Sequence, residues 1–255
     1  MNINEIEFAS RFSWPALEEQ ELPFGVLRYS SGSRKRINSL NLLSHFDAEP
    51  AEVISSAETF FERRNAPPMV RVITCESATN TALLKLDSCL QRRSYLVEGE
   101  THVMTISRLS FPPHLLDIGL ESCGIFSLSN WLKIYYRISE LPRLEREIHS
   151  RMLGKLRVGS CFLAAMDESG EPLCCGFGTL VGNSVGLYNL VTRSDVRGKG
   201  YATKLIRKLL SWAANKEVGY AYLHVETNNL PAIELYQKLG FEVYYSYWYR
   251  TSHIG

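Results

Sequence analysis

Leu190-Val191-Thr192-Arg193-Ser194-Asp195-Val196-Arg197-Gly198-Lys199-Gly200-Tyr201-Ala202 is the stretch on which the reading of this chain turns. An apolar strand ends at Thr192, residues 193–200 form a glycine-punctuated loop, and an amphipathic helix starts at once. In that helix Ala202, Leu205, Ile206, Leu209, Leu210 and Ala213 make one apolar stripe, with Lys204, Arg207, Lys208 and Ser211 off it. Unpaired backbone N–H groups at such a helix start point into the loop, and the helix dipole adds partial positive charge. Gly198 and Gly200 let backbone approach an anion closely, while Arg197 and Lys199 add formal charge. The physics calls for a phosphate here. A dinucleotide fingerprint would need a third glycine where Thr203 stands, and a P-loop would need Lys-Ser/Thr after Gly200, which Tyr201 follows. A plain glycine-rich turn is the alternative that remains.

Upstream, residues 160–165, 172–180 and 185–192 read as three strands joined by turns at 167–170 and 181–184, an antiparallel meander. Downstream, residues 220–225 alternate as a strand. Asn229 can cap a second helix with Pro231 in its first turn, where the missing N–H costs nothing. Ala232, Leu235, Tyr236 and Leu239 mark its buried side, Gly240 ends it, and residues 241–249 form a last strand rich in tyrosine.

The first half partly repeats this order. A helix around 53–61, a strand at 69–74, a helix at 80–91 and strand-like segments at 95–97 and 101–106 follow one another at similar spacing, which implies an internal repeat. The first copy has no glycine between Leu43 and Pro50, so it lacks the phosphate-type loop. The expected division is a first domain over 1–109, a linker over 110–130 and a second domain over 131–255.

Bulk properties narrow the function. A net charge of +1 over 255 residues argues against a broad nucleic-acid face. The acidic start does not read as a signal peptide, no apolar run reaches membrane-span length, and the expected location is the cytoplasm. The six cysteines form no Cys-x-x-Cys pair, so no metal site is expected and they read as core thiols in a reducing compartment.

Arg-x-x-Gly-x-Ala at Arg197, Gly200 and Ala202, with Asn229-Leu230-Pro231-Ala232-Ile233-Glu234-Leu235-Tyr236-Gln237-Lys238-Leu239-Gly240-Phe241 downstream, resembles two motifs of the Gcn5-related N-acetyltransferase (GNAT) superfamily. The resemblance covers essentially the second half. Ser194 departs from it, standing where many members have proline. The first half looks like the degenerate N-terminal domain of tandem members. The resemblance implies an α+β, GNAT-type fold: a twisted, mostly antiparallel sheet with flanking helices that splays near its centre, with two such domains in tandem. It implies acetyl-CoA as co-substrate and an amine of a small molecule or peptide as acceptor. Leu190, Val191 and Thr192 would pair with the pantetheine arm near the thioester. Arg197, Gly198, Lys199, Gly200, Tyr201, Ala202 and Thr203 would hold the pyrophosphate, and Asn229 would contact the pantetheine or thiol end. Tyr236 matches the tyrosine that often protonates the leaving thiolate, and it would also contact the cofactor; a packed aromatic on the buried face of a short helix is the alternative.

The general base stays open. Glu226 is a candidate near a strand end, and a solvated carboxylate is the equal alternative; His224 shares its strand face and reads as packed. The aromatic run 244–249 reads as core plus a dimer or domain interface, so a homodimer is one possible partner arrangement; Tyr247 or Tyr249 lining an acceptor site is the lesser reading. The rival to an enzyme is a CoA-binding sensor or scaffold without turnover.

Overall fold

A computed structural model describes residues 2–44, 46–74, 81–107 and 123–252. The elements begin with α1 (Ile3–Ser13), β1 (Glu18–Leu22), β2 (Gly25–Tyr29), β3 (Leu40–Leu42), α2 (Pro50–Glu62), β4 (Met69–Thr74), α3 (Thr81–Arg92) and β5 (Leu96–Ser107). They continue with β6 (Cys123–Phe126), α4 (Leu128–Ser139), α5 (Arg143–Leu153), β7 (Gly159–Met166), β8 (Pro172–Val181) and β9 (Ser184–Thr192). The chain closes with α6 (Tyr201–Ala214), β10 (Tyr220–Glu226), α7 (Leu230–Lys238) and β11 (Glu242–Thr251).

Two compact units emerge, and neither is continuous in sequence. Unit 1 comprises Met1–Trp14, Met104–His224 and Asn229–Glu242; unit 2 comprises Pro15–Val103, Val225–Asn228 and Val243–Gly255. A division at 109 and 131 therefore differs from the contacts at both chain ends. The reason is strand pairing: β11 runs antiparallel to β4, from Ser246 opposite Thr74 to Thr251 opposite Met69, so the C-terminal strand belongs with the first half. Part of the expected linker is structured too. Residues 110–122 lie outside the described residues, but Cys123–Phe126 is a strand paired antiparallel with β7.

In unit 1 the ladder is antiparallel from β6 through β7 and β8 to β9, and β10 then runs parallel to β9. Helix α6 makes the crossover between those two parallel strands, burying Leu205, Ile206, Leu209, Leu210 and Ala213. It approaches β8 over glycines: a Cβ at Gly178 would meet Trp212 at 3.2 Å, and one at Gly176 would meet Leu205 at 3.2 Å. The opposite face of β8 carries Phe177, which packs on Trp14 and on Trp131 of α4, and Thr179, which donates to Ser13 Oγ of α1 at 2.7 Å. Both faces of β8 are covered, which is why eight consecutive residues, 172–179, are buried.

Unit 2 has the same chain order. Strands β1, β2 and β3 are antiparallel, α2 crosses over, and β4 runs parallel to β3 with Leu40 opposite Val70. Val53, Ile54, Ala57, Phe60 and Phe61 of α2 and Leu83, Leu86 and Leu90 of α3 form its core with Leu27, Leu40, Val70 and Val72. Three antiparallel strands, a helix, a parallel strand, a helix and a strand thus occur twice, from β1 to β5 and from β7 to β11. The internal repeat is longer than the helix-strand-helix-strand order legible in the sequence. The segments 95–97 and 101–106, expected as separate, are one strand, β5, that passes through Gly99 at φ +62°.

Candidate functional site

The parallel pairing of β9 with β10 is short. It runs from Ser184 opposite Tyr220 to Leu187 opposite Leu223 and stops. Beyond it, among the described residues, the ladder partners of Val191 and Thr192 lie on β8, and Asn189–Thr192 have none on β10. One side of this half-strand is therefore left with backbone groups that an extended ligand can pair with, as a strand added to a sheet edge.

The same half-strand carries a bulge. Val191 opposes Cys175 and Tyr188 opposes Phe177, so Asn189 and Leu190 together face Gly176. Asn189 takes the extra turn with φ +49°, a left-handed conformation that asparagine tolerates better than most residues. A bulge frees backbone groups from the ladder and re-aims them.

After β9 the chain turns through a short 3-10 segment, Ser194–Val196, and reaches two left-handed glycines, Gly198 at φ +76° and Gly200 at φ +81°. Nothing lies within 4 Å of where a Cβ would sit on either, so the backbone faces open space. Gly200 is the N-cap of α6 and supplies no capping side chain. Among the described residues no acceptor within the protein is found for the N–H groups of residues 198–203, while Lys204 N–H bonds Gly200 O at 3.1 Å. These are the orphan donors of a helix start, set in a loop bent to present them.

The loop charges divide their work. Arg193 is committed to structure, paired with Asp195 at 2.7 Å and donating to Pro172 O at 3.1 Å. The hydrogen bond from Arg193 holds the Asp195 carboxyl below its ordinary range. Arg197 reaches back to Thr192 O at 3.3 Å through Nε, which braces the loop and leaves its terminal nitrogens at the surface. Lys199 is exposed. Tyr201, Ala202 and Thr203 form the half-buried first turn of α6.

Asn229 is the N-cap of α7, its side chain accepting from Ala232 N at 3.4 Å. Tyr236 is the buried residue of α7, edge-on to Phe241 at 6.2 Å. Burial pushes its phenol up to about 12, so the hydroxyl stays protonated through the neutral range. Of the buried side expected for this helix, Ala232 and Leu235 are only half-buried, and Gly240 takes φ +91° just after it. Glu226 is the exposed last residue of β10 and falls in unit 2, whereas every expected cofactor-binding residue and Tyr236 falls in unit 1. His224 is half-buried, its ring 6.0 Å from that of Tyr222.

Four of the five described cysteines are core groups, and Cys89 is half-buried. Cys123, Cys161, Cys174 and Cys175 are buried, and burial pushes the Cys161 thiol up to about 11 and that of Cys174 up to about 12. Thiols held in the protonated form are poor nucleophiles. Cys75 lies outside the described residues.

Sequence reasoning missed Asn189, Gly176 and the residue that holds Asn189: His149 of α5, whose Nε2 is 2.7 Å from Asn189 Nδ2. An asparagine inside an otherwise apolar strand was the one available signal.

Residues 125–241 match the pattern of the acetyltransferase (GNAT) family. An uncharacterized N-acetyltransferase of Bacillus subtilis (strain 168), YobR, is 25% identical over 254 residues, 98% of each chain. Among solved structures, a GCN5-related N-acetyltransferase from Kribbella flavida superposes with a TM-score of 0.69 at 10% identity, over 100% of this chain and 97% of its own. A tandem GNAT protein from the clavulanic acid biosynthesis pathway superposes with a TM-score of 0.63 at 13% identity, over 84% of this chain and 75% of its own. At such identities these likenesses speak to the fold, which is the GNAT fold expected from the sequence.

Proposed function

From the match of residues 125–241 to the acetyltransferase (GNAT) family, we propose that this chain transfers an acetyl group from acetyl-CoA to a primary amine of a small molecule or peptide. The observation that carries the reading is the conjunction, in one unit, of a half-strand without a partner on one side and a loop of unpaired N–H groups at the start of α6. The first suits an amide-bearing arm such as pantetheine, and the second suits a pyrophosphate.

Acetyl-CoA, when bound, supplies the acetyl group as a thioester. The chain's part is to bind and to stabilise charge. Leu190, Val191 and Thr192 offer backbone pairing to the arm. Gly198, Lys199, Gly200, Tyr201, Ala202 and Thr203 offer N–H groups to the pyrophosphate, with Arg197 and Lys199 adding positive charge. The bulge at Asn189 and Leu190 offers an N–H to the thioester oxygen, which gains negative charge as the amine attacks. Asn229 fixes the start of α7, which carries Tyr236. The Tyr236 hydroxyl donates to the departing sulfur; a phenol this weak acts first as a hydrogen-bond donor, and its proton follows as charge builds on sulfur. Glu226 is the base to test for taking the proton that the attacking amine must lose.

The test is amine-dependent release of thiol from acetyl-CoA over a broad amine panel, with the N-acetyl product identified by mass spectrometry. Thiol release that requires one class of amine supports the reading. Tight binding of acetyl-CoA with no turnover on any amine makes the chain a CoA-binding sensor or scaffold instead.

A further inference from the structure

The bulge in β9 needs something to hold it. An extra residue in a strand gives up ladder hydrogen bonds, and a non-glycine residue at positive φ adds strain of about 1–2 kcal/mol. Asn189 is that residue, at φ +49°. Space for its bulge partner Leu190 is made by Gly176, since a Cβ there would meet Leu190 Cδ2 at 2.5 Å. Its side chain is not left to solvent. Asn189 Nδ2 lies 2.7 Å from His149 Nε2, forty residues away in sequence.

His149 is itself held. It is 0% exposed, on the buried side of α5 with Ile148, Met152 and Leu153. Its ring sits 5.6 Å from Trp14, 5.1 Å from Tyr135 and 5.8 Å from Tyr136. Trp14 in turn stacks on Tyr188, the residue just before Asn189, at 5.7 Å. A rigid aromatic box thus fixes an imidazole whose Nε2 is presented to the one left-handed residue of the strand. With its proton on Nδ1, the ring accepts there through Nε2 from the amide of Asn189.

We propose that His149 is a positioning residue of the transfer reaction: by anchoring the Asn189 side chain it fixes the β9 bulge and so aims the Leu190 backbone at the reacting thioester. The inference rests on reading β9 as the cofactor strand. A misaimed backbone donor should weaken stabilisation of the charge that develops during transfer more than it weakens cofactor binding, because the pyrophosphate loop is separate from the bulge.

The experiment uses four variants of the full chain. His149→Leu fills the box without an acceptor. His149→Gln restores an acceptor oxygen near the Nε2 position. Asn189→Gly tolerates positive φ without a side-chain anchor, and the fourth variant combines it with His149→Leu. His149→Leu should lower kcat by about 10- to 100-fold, in keeping with the cost of slight misplacement, with CoA affinity changed less than about threefold. His149→Gln should recover most of the loss. In the Asn189→Gly background, His149→Leu should change kcat by less than about twofold, because the anchor it removes is already gone. Unchanged kcat in His149→Leu, or the same loss in both backgrounds, would overturn the proposal and leave His149 as packing alone. A wild-type protein with no amine-dependent turnover would fail the acetyl-transfer reading rather than this one. The amide NMR signals of Asn189 and Leu190 then decide it: they should shift in His149→Leu and stay near their wild-type positions in His149→Gln, and signals unmoved in both would overturn the anchor.

Discussion

At the scale of the residue, Tyr236 is the sharpest commitment. Tyr236→Phe keeps the ring against Phe241 and removes the donor, so CoA affinity and melting temperature should hold while kcat falls by about 10²–10³-fold, the usual loss of one donor to developing charge. The sign of its titration is also fixed. In the proposed reaction the protonated phenol is the working form, and burial raises its pKa to about 12, so that form persists further into alkali than for an ordinary tyrosine. The kcat profile should show no fall due to Tyr236 below about pH 10, the ordinary tyrosine value. An alkaline limb near pH 9 that disappears in Tyr236→Phe would contradict this placement. The places of Tyr236, Gly198 and Gly200 in the fold were legible in the sequence because they follow local spacing: a helix period for the first, a strand–loop–helix junction for the others. The Asn189–His149 contact was not, because a pairing between a strand and a distant helix leaves no local period to read.

At the scale of the element, two contacts decide how firmly strands are held. In unit 1, Gly186 faces the buried hydroxyl pair Tyr188–Tyr222, whose oxygens are 2.9 Å apart. A Cβ at Gly186 would come within 2.6 Å of Tyr222 Oη, so Gly186→Ala should destabilise by about 1–3 kcal/mol through overpacking, measured by urea unfolding. An unchanged midpoint would contradict the close packing of β9 on β10 at this rung. In unit 2, Arg250 of β11 grips Asp87 of α3 through two nitrogens, at 2.8 and 2.7 Å, and Trp248 Nε1 adds a third bond at 3.1 Å. Burial alone would raise the Asp87 pKa, but the bonds from Arg250 and Trp248 outweigh it and hold the carboxyl below its ordinary value. A depressed folded pKa contributes stability that is full above the unfolded value, about 3.9, and is lost as pH falls through the folded one. Asp87→Ala should cost roughly 2–4 kcal/mol at pH 7, less than a fully buried pair because Asp87 is partly exposed, and should flatten the acid limb of stability below about pH 4. The unbroken meander, α6 and α7 were legible from periodicity. Helices α4 and α5 were not: Trp131 is placed by its Nε1 bond to Leu163 O, 3.0 Å away but thirty-two residues on, and the charged residues of α5 dilute its apolar stripe.

At the scale of the whole molecule, the repeat carries the account. Both copies run three antiparallel strands into a helix and a parallel strand, and the proposed anion site is placed in the second. In the first copy residues 43–49 contain no glycine and carry Asp47 and Glu49, and α2 opens on Pro50, which has no N–H to offer. In the second, two left-handed glycines, Arg197 and Lys199 precede an uncapped helix. The repeat was visible in the sequence as an order of elements, but the exchange that sends β11 to β4 was not, since antiparallel pairing partners are chosen by tertiary contact rather than by local pattern. The central claim is that acetyl-CoA binds once per chain, at the loop before α6. Calorimetric titration of acetyl-CoA into the wild type and Gly200→Glu tests it. The glutamate adds negative charge where pyrophosphate should sit, and at φ +81° it adds strain of about 1–2 kcal/mol, so a thermal melt must show the variant folded at the titration temperature. The wild type should bind at one site per chain and folded Gly200→Glu should show no measurable binding; two equivalent sites, or binding undiminished in the variant, would overturn the placement at this loop.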